Sequence, residues 1–217
     1  SRRDREAVIE VADTGEGIDE QLDRFDAAAA GLRGLGLAAE LRHAANSAAA
    51  LASQRARFEL IRPGIALFGV APSKGLSTEL RPVMRVRSEI TSVRELAPGM
   101  SAGYGGTWRA SRPSRIATVP MGYADGLSRG LSNRGSVLVR GKRAPIAGVV
   151  SMDMTMIDVT EIEGACIGDE AVLLGAQKGP QGEDSIGADE IADQLGTIPW
   201  EVLTNVSRRV PRFYREP

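Results

Sequence analysis

The pattern of apolar residues changes once along this chain, near residues 72–78, and that change separates two kinds of structure. Upstream of it, Ile18, Leu22, Phe25, Ala29 and Leu32 recur at steps of four and three, the spacing of an apolar helix face. Gly34 and Gly36 are placed to end that helix. A short strand through Leu41 is predicted next. Asn46-Ser47 then opens the helix SAAALAS, and a second strand is predicted over residues 64–69. Helix and strand alternating in this way mark part of a parallel α/β unit.

Downstream, short Val- and Ile-rich segments follow one another, PVMRVRSEITSVREL and SRIATVPMG among them, divided by turn residues. Residues 137–140 and 144–150 read as a hairpin turning at Gly141-Lys142, and residues 154–159 and 170–174 as two further strands. Residues 189–195 are predicted helical with Gly196 as the stop. Pro199 suits the first turn of one more helix through Leu203. The expected fold is therefore α/β plus β, with residues 1–76 in an α/β part and residues 77–217 in a mostly β domain.

Charge and composition narrow the function classes. The 27 basic and 28 acidic residues leave a net charge of −1, without the basic excess that marks a nucleic-acid binder. Arg208, Arg209 and Arg212 form a small cluster, read as an exposed solvated face. With one histidine, His43, and one cysteine, Cys166, neither an internal disulfide nor a His/Cys metal site is expected. Neither a membrane-spanning apolar run nor a secretory pattern is seen, since SRRDREAVIEVADTGEG is charged from its start. A soluble cytoplasmic protein is expected.

Several residues are placed where chemistry is possible. Ser47 stands at a predicted helix N-terminus, where unpaired N–H groups suit a phosphate; a plain N-cap is the bland alternative. Arg62 precedes an apolar segment, and such an arginine is ordinarily solvated or paired. Tyr104 lies between Gly103 and Gly105, which permit an unusual backbone path. Met152-Asp153 reads locally as a strand-end turn, and Tyr123 in PMGYADG as an ordinary buried tyrosine.

Four segments together carry more: GVVSMDMTMIDVT around Met152-Asp153, Gly103-Tyr104-Gly105, RPGIALFG at residues 62–69 and HAANSAA at residues 43–49. In combination they resemble alanine racemase, a pyridoxal 5′-phosphate (PLP) enzyme that interconverts L- and D-alanine. The resemblance runs over residues 18–214. It implies the end of a PLP-binding (β/α)8 barrel, where late βα loops hold a phosphate, followed by the family's β domain. By this resemblance HAANSAA with Ser47, and Gly64 and Ile65 through their backbone, hold the cofactor phosphate. Arg62 faces the pyridine nitrogen. An arginine can only donate there, which weakens the ring as an electron sink and favours simple proton exchange. Tyr104 becomes the acid/base on the L-alanine face, Met152 and Asp153 line the substrate site, and Tyr123 belongs to its entryway. A homodimer in which Tyr104 and Met152 serve the partner's site is implied, as is supply of D-alanine for the cell wall.

The chain also departs from the family pattern. The family's Schiff-base lysine belongs to an early barrel strand, and Lys74, Lys142 and Lys178 all fall elsewhere. Arg208 stands where some members carry a phosphate-contacting tyrosine. Residues 1–17 match nothing in the pattern, and a barrel missing strands would expose its sheet edges. The activity is accordingly expected of a complete enzyme. Two other readings stay open: a non-catalytic fragment or subunit-associating β-domain protein, and a PLP racemase for serine or several amino acids.

Overall fold

The computed structural model describes residues 17–214 apart from Ala38, Lys74, Ser77 and Thr78. Residues 1–16 and Lys74 thus lie outside the described residues. The chain divides into two compact units between Arg81 and Pro82.

In the first unit, helix α1 (Ile18–Gly34) carries Asp19 and Glu20 in its first turn and Arg33 in its last, charges that complement the helix dipole. Gly36, at φ +74°, turns the chain out of the helix. The Leu37 N–H then reaches the Leu32 carbonyl and the Gly36 N–H the Arg33 carbonyl, 3.0 Å each, closing the end with a Schellman motif. Leu22 of α1 is buried with Ala45, Ala50 and Ala56. Phe25 lies against Phe58 with ring centroids 5.0 Å apart, and the Arg42 guanidinium stands 4.9 Å over the same Phe58 ring. Arg42 also grips Glu59 with both arms of its fork, at 3.0 and 2.6 Å.

Helix α2 (Ser47–Ala52) is capped by Asn46, whose side chain accepts the Ala49 N–H at 3.0 Å. The two strands expected in this unit are not there. Residues 41–46 carry no ladder, although the Ala45 carbonyl accepts the Arg62 N–H at 2.8 Å. Gly64–Phe68 is a 3-10 helix, ended by Gly69 in the left-handed region at φ +73°. A five-residue apolar run fits either state by pattern alone. Here the backbone N–H groups of Ala66 and Leu67 go to Ser47 Oγ and the Pro63 carbonyl, not to a neighbouring strand.

The second unit is built on antiparallel strands. One sheet has the order β1 (Val86–Glu89), β9 (Glu170–Gly179), β6 (Ser136–Val139), β7 (Lys142–Pro145), with β10 (Gly182–Ile186) paired to the far half of β9. That pairing extends β9 well past the expected end at Leu174. Val137, Leu138 and Val139 are all buried, as are residues 171–174. Consecutive buried residues mean that both faces of these central strands are covered. The β6–β7 turn is Arg140-Gly141, one residue earlier than expected; both have positive φ, +54° and +84°, the type I′ geometry that suits a two-residue hairpin.

A second sheet has the order β2 (Ser92–Leu96), β5 (Ser114–Val119), β8 (Thr155–Asp158). The short ribbon of β3 (Ser101–Ala102) and β4 (Trp108–Arg109) stands beside it, with Ala102 buried against Ile116 and Ala147. The helices α3 (Ala188–Leu195) and α4 (Pro199–Thr204) close the unit, α3 stopping at Gly196 with φ +70°. Among the described residues no helix is long and apolar enough to cross a membrane.

Candidate active site

The first unit gathers Ser47, Arg62, Gly64 and Ile65 in one place. Ser47 is buried, and its hydroxyl accepts the Ala66 N–H at 3.2 Å. A Cβ on Gly64 would stand 3.7 Å from that hydroxyl oxygen, so the start of the 3-10 helix and the start of α2 meet at Ser47. The first N–H groups of any helix have no partner within it, which leaves those of Gly64 and Ile65 open for an anion. Arg62 is exposed and is held by its own side chain, which donates to the Ala44 carbonyl at 3.2 Å.

The second unit gathers Tyr104, Tyr123, Met152 and Asp153 on adjoining loops. Tyr104 sits at the tip of the β3–β4 ribbon, three-quarters exposed, between Gly103 at φ +75° and Gly105 at φ +71°. Its hydroxyl has no hydrogen-bond partner among the described residues. Gly103 packs against Gly148, and a Cβ on Gly148 would lie 2.7 Å from the Ala102 carbonyl oxygen. Asn133 ties these pieces together. Its Oδ1 accepts the Gly148 N–H at 2.7 Å, and its Nδ2 donates to Thr107 Oγ1 at 3.0 Å.

Gly148 leads into a turn over residues 151–154. The Ser151 N–H donates to the Met154 carbonyl at 3.0 Å, and Ser151 Oγ accepts the Met154 N–H at 3.2 Å. Met152 and Asp153 occupy the middle of this turn, where neither N–H has an acceptor among the described residues. The Tyr123 loop lies alongside: the Tyr123 N–H donates to the Ser151 carbonyl and the Ala124 N–H to the Met152 carbonyl, 3.0 Å each. Tyr123 is itself 44% exposed, not buried.

Two charged residues complete the region. Asp125 Oδ2 accepts the Gly122 N–H at 3.0 Å and closes the Tyr123 loop. Arg209 donates to Asp153 at 2.7 Å and lies 3.4 Å from Asp125. Arg208, Arg209 and Arg212 are exposed, as expected of their cluster, and Arg209 is in addition paired, because two loops distant in sequence bring carboxylates to it. Sequence reasoning missed Gly122, Asp125, Asn133 and Arg209. An Asp-Gly pair at 125–126 does signal a turn, but nothing local reveals what the Asp125 carboxylate meets. Of the lysines, Lys142 donates to the Glu161 carbonyl at 2.8 Å and Lys178 is exposed beside Glu183 at 3.8 Å. Neither is near the residues above in its own unit by any hydrogen bond or ion pair. The exposed His43 and Cys166 belong to no metal-ligating group among the described residues.

Comparison with known proteins gives the class and then the family. The profile for "Alanine racemase, C-terminal domain" matches residues 83–214, and that for "Alanine racemase, N-terminal domain" matches residues 9–72. An alanine racemase of Sorangium cellulosum is 58% identical over 211 residues, which are 97% of this chain and 55% of that protein. Alanine racemase 2 of Caldanaerobacter subterraneus is 48% identical over 197 residues, 90% of this chain and 50% of that protein. The crystal structure of alanine racemase from Bacillus anthracis with bound L-Ala-P superposes with a TM-score of 0.82 at 35% identity, covering 91% of this chain and 50% of that one. The architecture is that of an α/β segment followed by a mostly β domain. The chain belongs to the alanine racemase family, and it spans about half the length of the relatives it matches.

Proposed function

We propose that the protein acts as a PLP-dependent alanine racemase, with the residues described above forming part of its active site. The observation that carries this reading is the Met152 N–H, left without an acceptor at the centre of a turn braced from both sides, in a chain whose relatives bear that name. Residues 1–76 form the end of the cofactor-binding barrel and residues 77–217 the β domain in this reading. The complete enzyme is a cytoplasmic homodimer supplying D-alanine for the cell wall.

The residues of the first unit fit the cofactor. A buried hydroxyl and two adjoining open N–H groups offer hydrogen bonds to a phosphate, while α2, only six residues long, contributes little through its dipole. Bound PLP supplies an electron-withdrawing ring that makes the substrate Cα proton acidic. Arg62 would meet the ring nitrogen, to which an arginine can only donate.

Tyr104 exchanges the proton at its phenol oxygen on one face of Cα. Its exposure at a glycine-flanked tip suits a group presented to a partner subunit's site. Met152 holds the substrate carboxylate through its N–H, and Tyr123 lines the approach. In this reading the proton acceptor on the opposite face is the family's Schiff-base lysine, a role that neither Lys142 nor Lys178 suits by its surroundings.

Replacing Tyr104 by Phe in the PLP-loaded protein tests the assignment. Racemisation is expected to slow about 10²- to 10⁴-fold while the cofactor stays bound. Both measurements use the complete enzyme, since this chain spans about half the length of its relatives: an unchanged rate removes Tyr104 from the chemistry, and a complete wild type that binds PLP yet leaves L-alanine unconverted overturns the function.

A further inference from the structure

The residues around Met152 are held by more than backbone. Arg209 stands between two carboxylates from separate loops: Nη2 is 2.7 Å from Asp153 Oδ1, and Nε is 3.4 Å from Asp125 Oδ1. Asp125 is the more enclosed of the two, with its side chain 14% exposed, and its second oxygen accepts the Gly122 N–H. Arg209 is fixed in turn by its own segment. Its N–H donates to Ser207 Oγ at 3.2 Å, and the Ser207 N–H donates to the Asp125 carbonyl at 3.0 Å. A Cβ on Gly126 would lie 2.4 Å from the Asn205 carbonyl oxygen, so the Tyr123 loop and this late segment touch backbone to backbone.

Stability alone is a poor explanation for this arrangement. Arg209 and Asp153 are each about half exposed, and pairs of that kind add little to folding. Geometry and charge explain it better. Asp153 follows the Met152 N–H that the substrate carboxylate is read to use, and an uncompensated Asp153 would repel that carboxylate. We infer that Arg209 is a positioning residue for the substrate carboxylate: it aims the Met152 turn by clamping it to the Tyr123 loop and cancels the Asp153 charge beside it. The inference rests on the racemase reading for its ligand, although the clamp itself is independent of that reading.

The test uses R209Q, R209K and the double variant R209Q/D153N. In the cofactor-free protein, amide hydrogen exchange at Tyr123 and Ala124, whose N–H groups bond the turn, is expected to quicken about tenfold in R209Q. In the complete, PLP-loaded enzyme, KM for alanine is expected to rise about tenfold while kcat stays within about twofold, the pattern of lost uniform binding. R209K, with a charge but no fork, should fall between. R209Q/D153N should recover most of the KM while keeping the faster exchange, because the charge is gone but the clamp is not restored. Should R209Q fail to fold, R209K alone carries the comparison. Unchanged exchange and unchanged KM in the folded variants overturn the inference, as does a double variant whose KM is no better than that of R209Q. A complete, PLP-loaded wild type that does not turn over alanine counts against the racemase reading instead, and the exchange result still decides the clamp.

Discussion

A Cβ placed on Gly122 would stand 2.4 Å from the Met152 carbonyl oxygen and 2.2 Å from that of Ser151. No side chain fits there, so the glycine is what allows the Tyr123 loop to lie flat on the Met152 turn. Gly122→Ala must push the two loops apart, an overpacking expected to cost about 1–3 kcal/mol. Urea denaturation should show that loss, and the KM for alanine should rise as the Met152 N–H loses its aim. A variant with unchanged stability would mean that the loops separate freely and that the close approach is incidental.

Asn133 holds the Tyr104 loop to the segment that leads to Met152, and it does so at φ +56°. Asparagine tolerates the left-handed region better than most residues. Asn133→Gly keeps the backbone free and removes only the side-chain bonds to Thr107 and Gly148, whereas Asn133→Ala adds strain. Asn133→Gly is expected to lose about 1 kcal/mol and to quicken amide exchange at Thr107 and Gly148. Asn133→Ala should lose more than Asn133→Gly. The reverse order, read from denaturation midpoints, would show that the backbone conformation is not under strain.

How far the sequence reveals these features depends on their range. The α1 periodicity, the Gly36 and Gly196 stops and the Pro199 start all follow from neighbours within a few residues, and each is found where the sequence places it. The strand expected at 64–69 fails because Ile65, Ala66, Leu67 and Phe68 suit a buried strand and a helical turn equally. What decides between them is Ser47, almost twenty positions away, taking the Ala66 N–H. Tyr104, Tyr123 and Met152 were legible only as members of a family pattern. Their braces were not: the partners of Arg209 lie 84 and 56 positions upstream, at Asp125 and Asp153, and composition records no such pairing.

Ser47 carries two roles that one substitution separates. In Ser47→Ala the part-buried Ala66 N–H loses its acceptor, a change expected to cost about 1 kcal/mol, and the proposed phosphate site loses a hydroxyl. The cofactor-free protein should therefore be less stable, and PLP affinity should fall about tenfold, as measured by absorbance titration. Ser47→Thr retains the hydroxyl and is expected to recover the affinity in part. Equal PLP affinity across wild type and both variants would remove Ser47 from the cofactor site while leaving its structural bond intact.

Glu59 supplies a test by pH that does not involve the active-site chemistry. Both arms of the Arg42 fork, together with the Arg42 backbone N–H at 2.9 Å, hold its carboxyl down to about 2 from an ordinary 4.5. A carboxyl with a depressed folded-state pKa stabilises the fold above its unfolded-state pKa, and that contribution is lost as pH falls through the folded value. The contribution is therefore full near neutrality, declines below about 4.5 and is gone by about 2. Because Glu59 is in good contact with solvent, high salt should weaken the effect. Carbon-detected NMR of the Glu59 carboxyl should place its midpoint near the lower value in the wild type and near the ordinary value in Arg42→Gln. Glu59→Gln should flatten the acid limb of the first unit's stability, and an acid limb of unchanged slope would mean that the Arg42 pair contributes nothing to it.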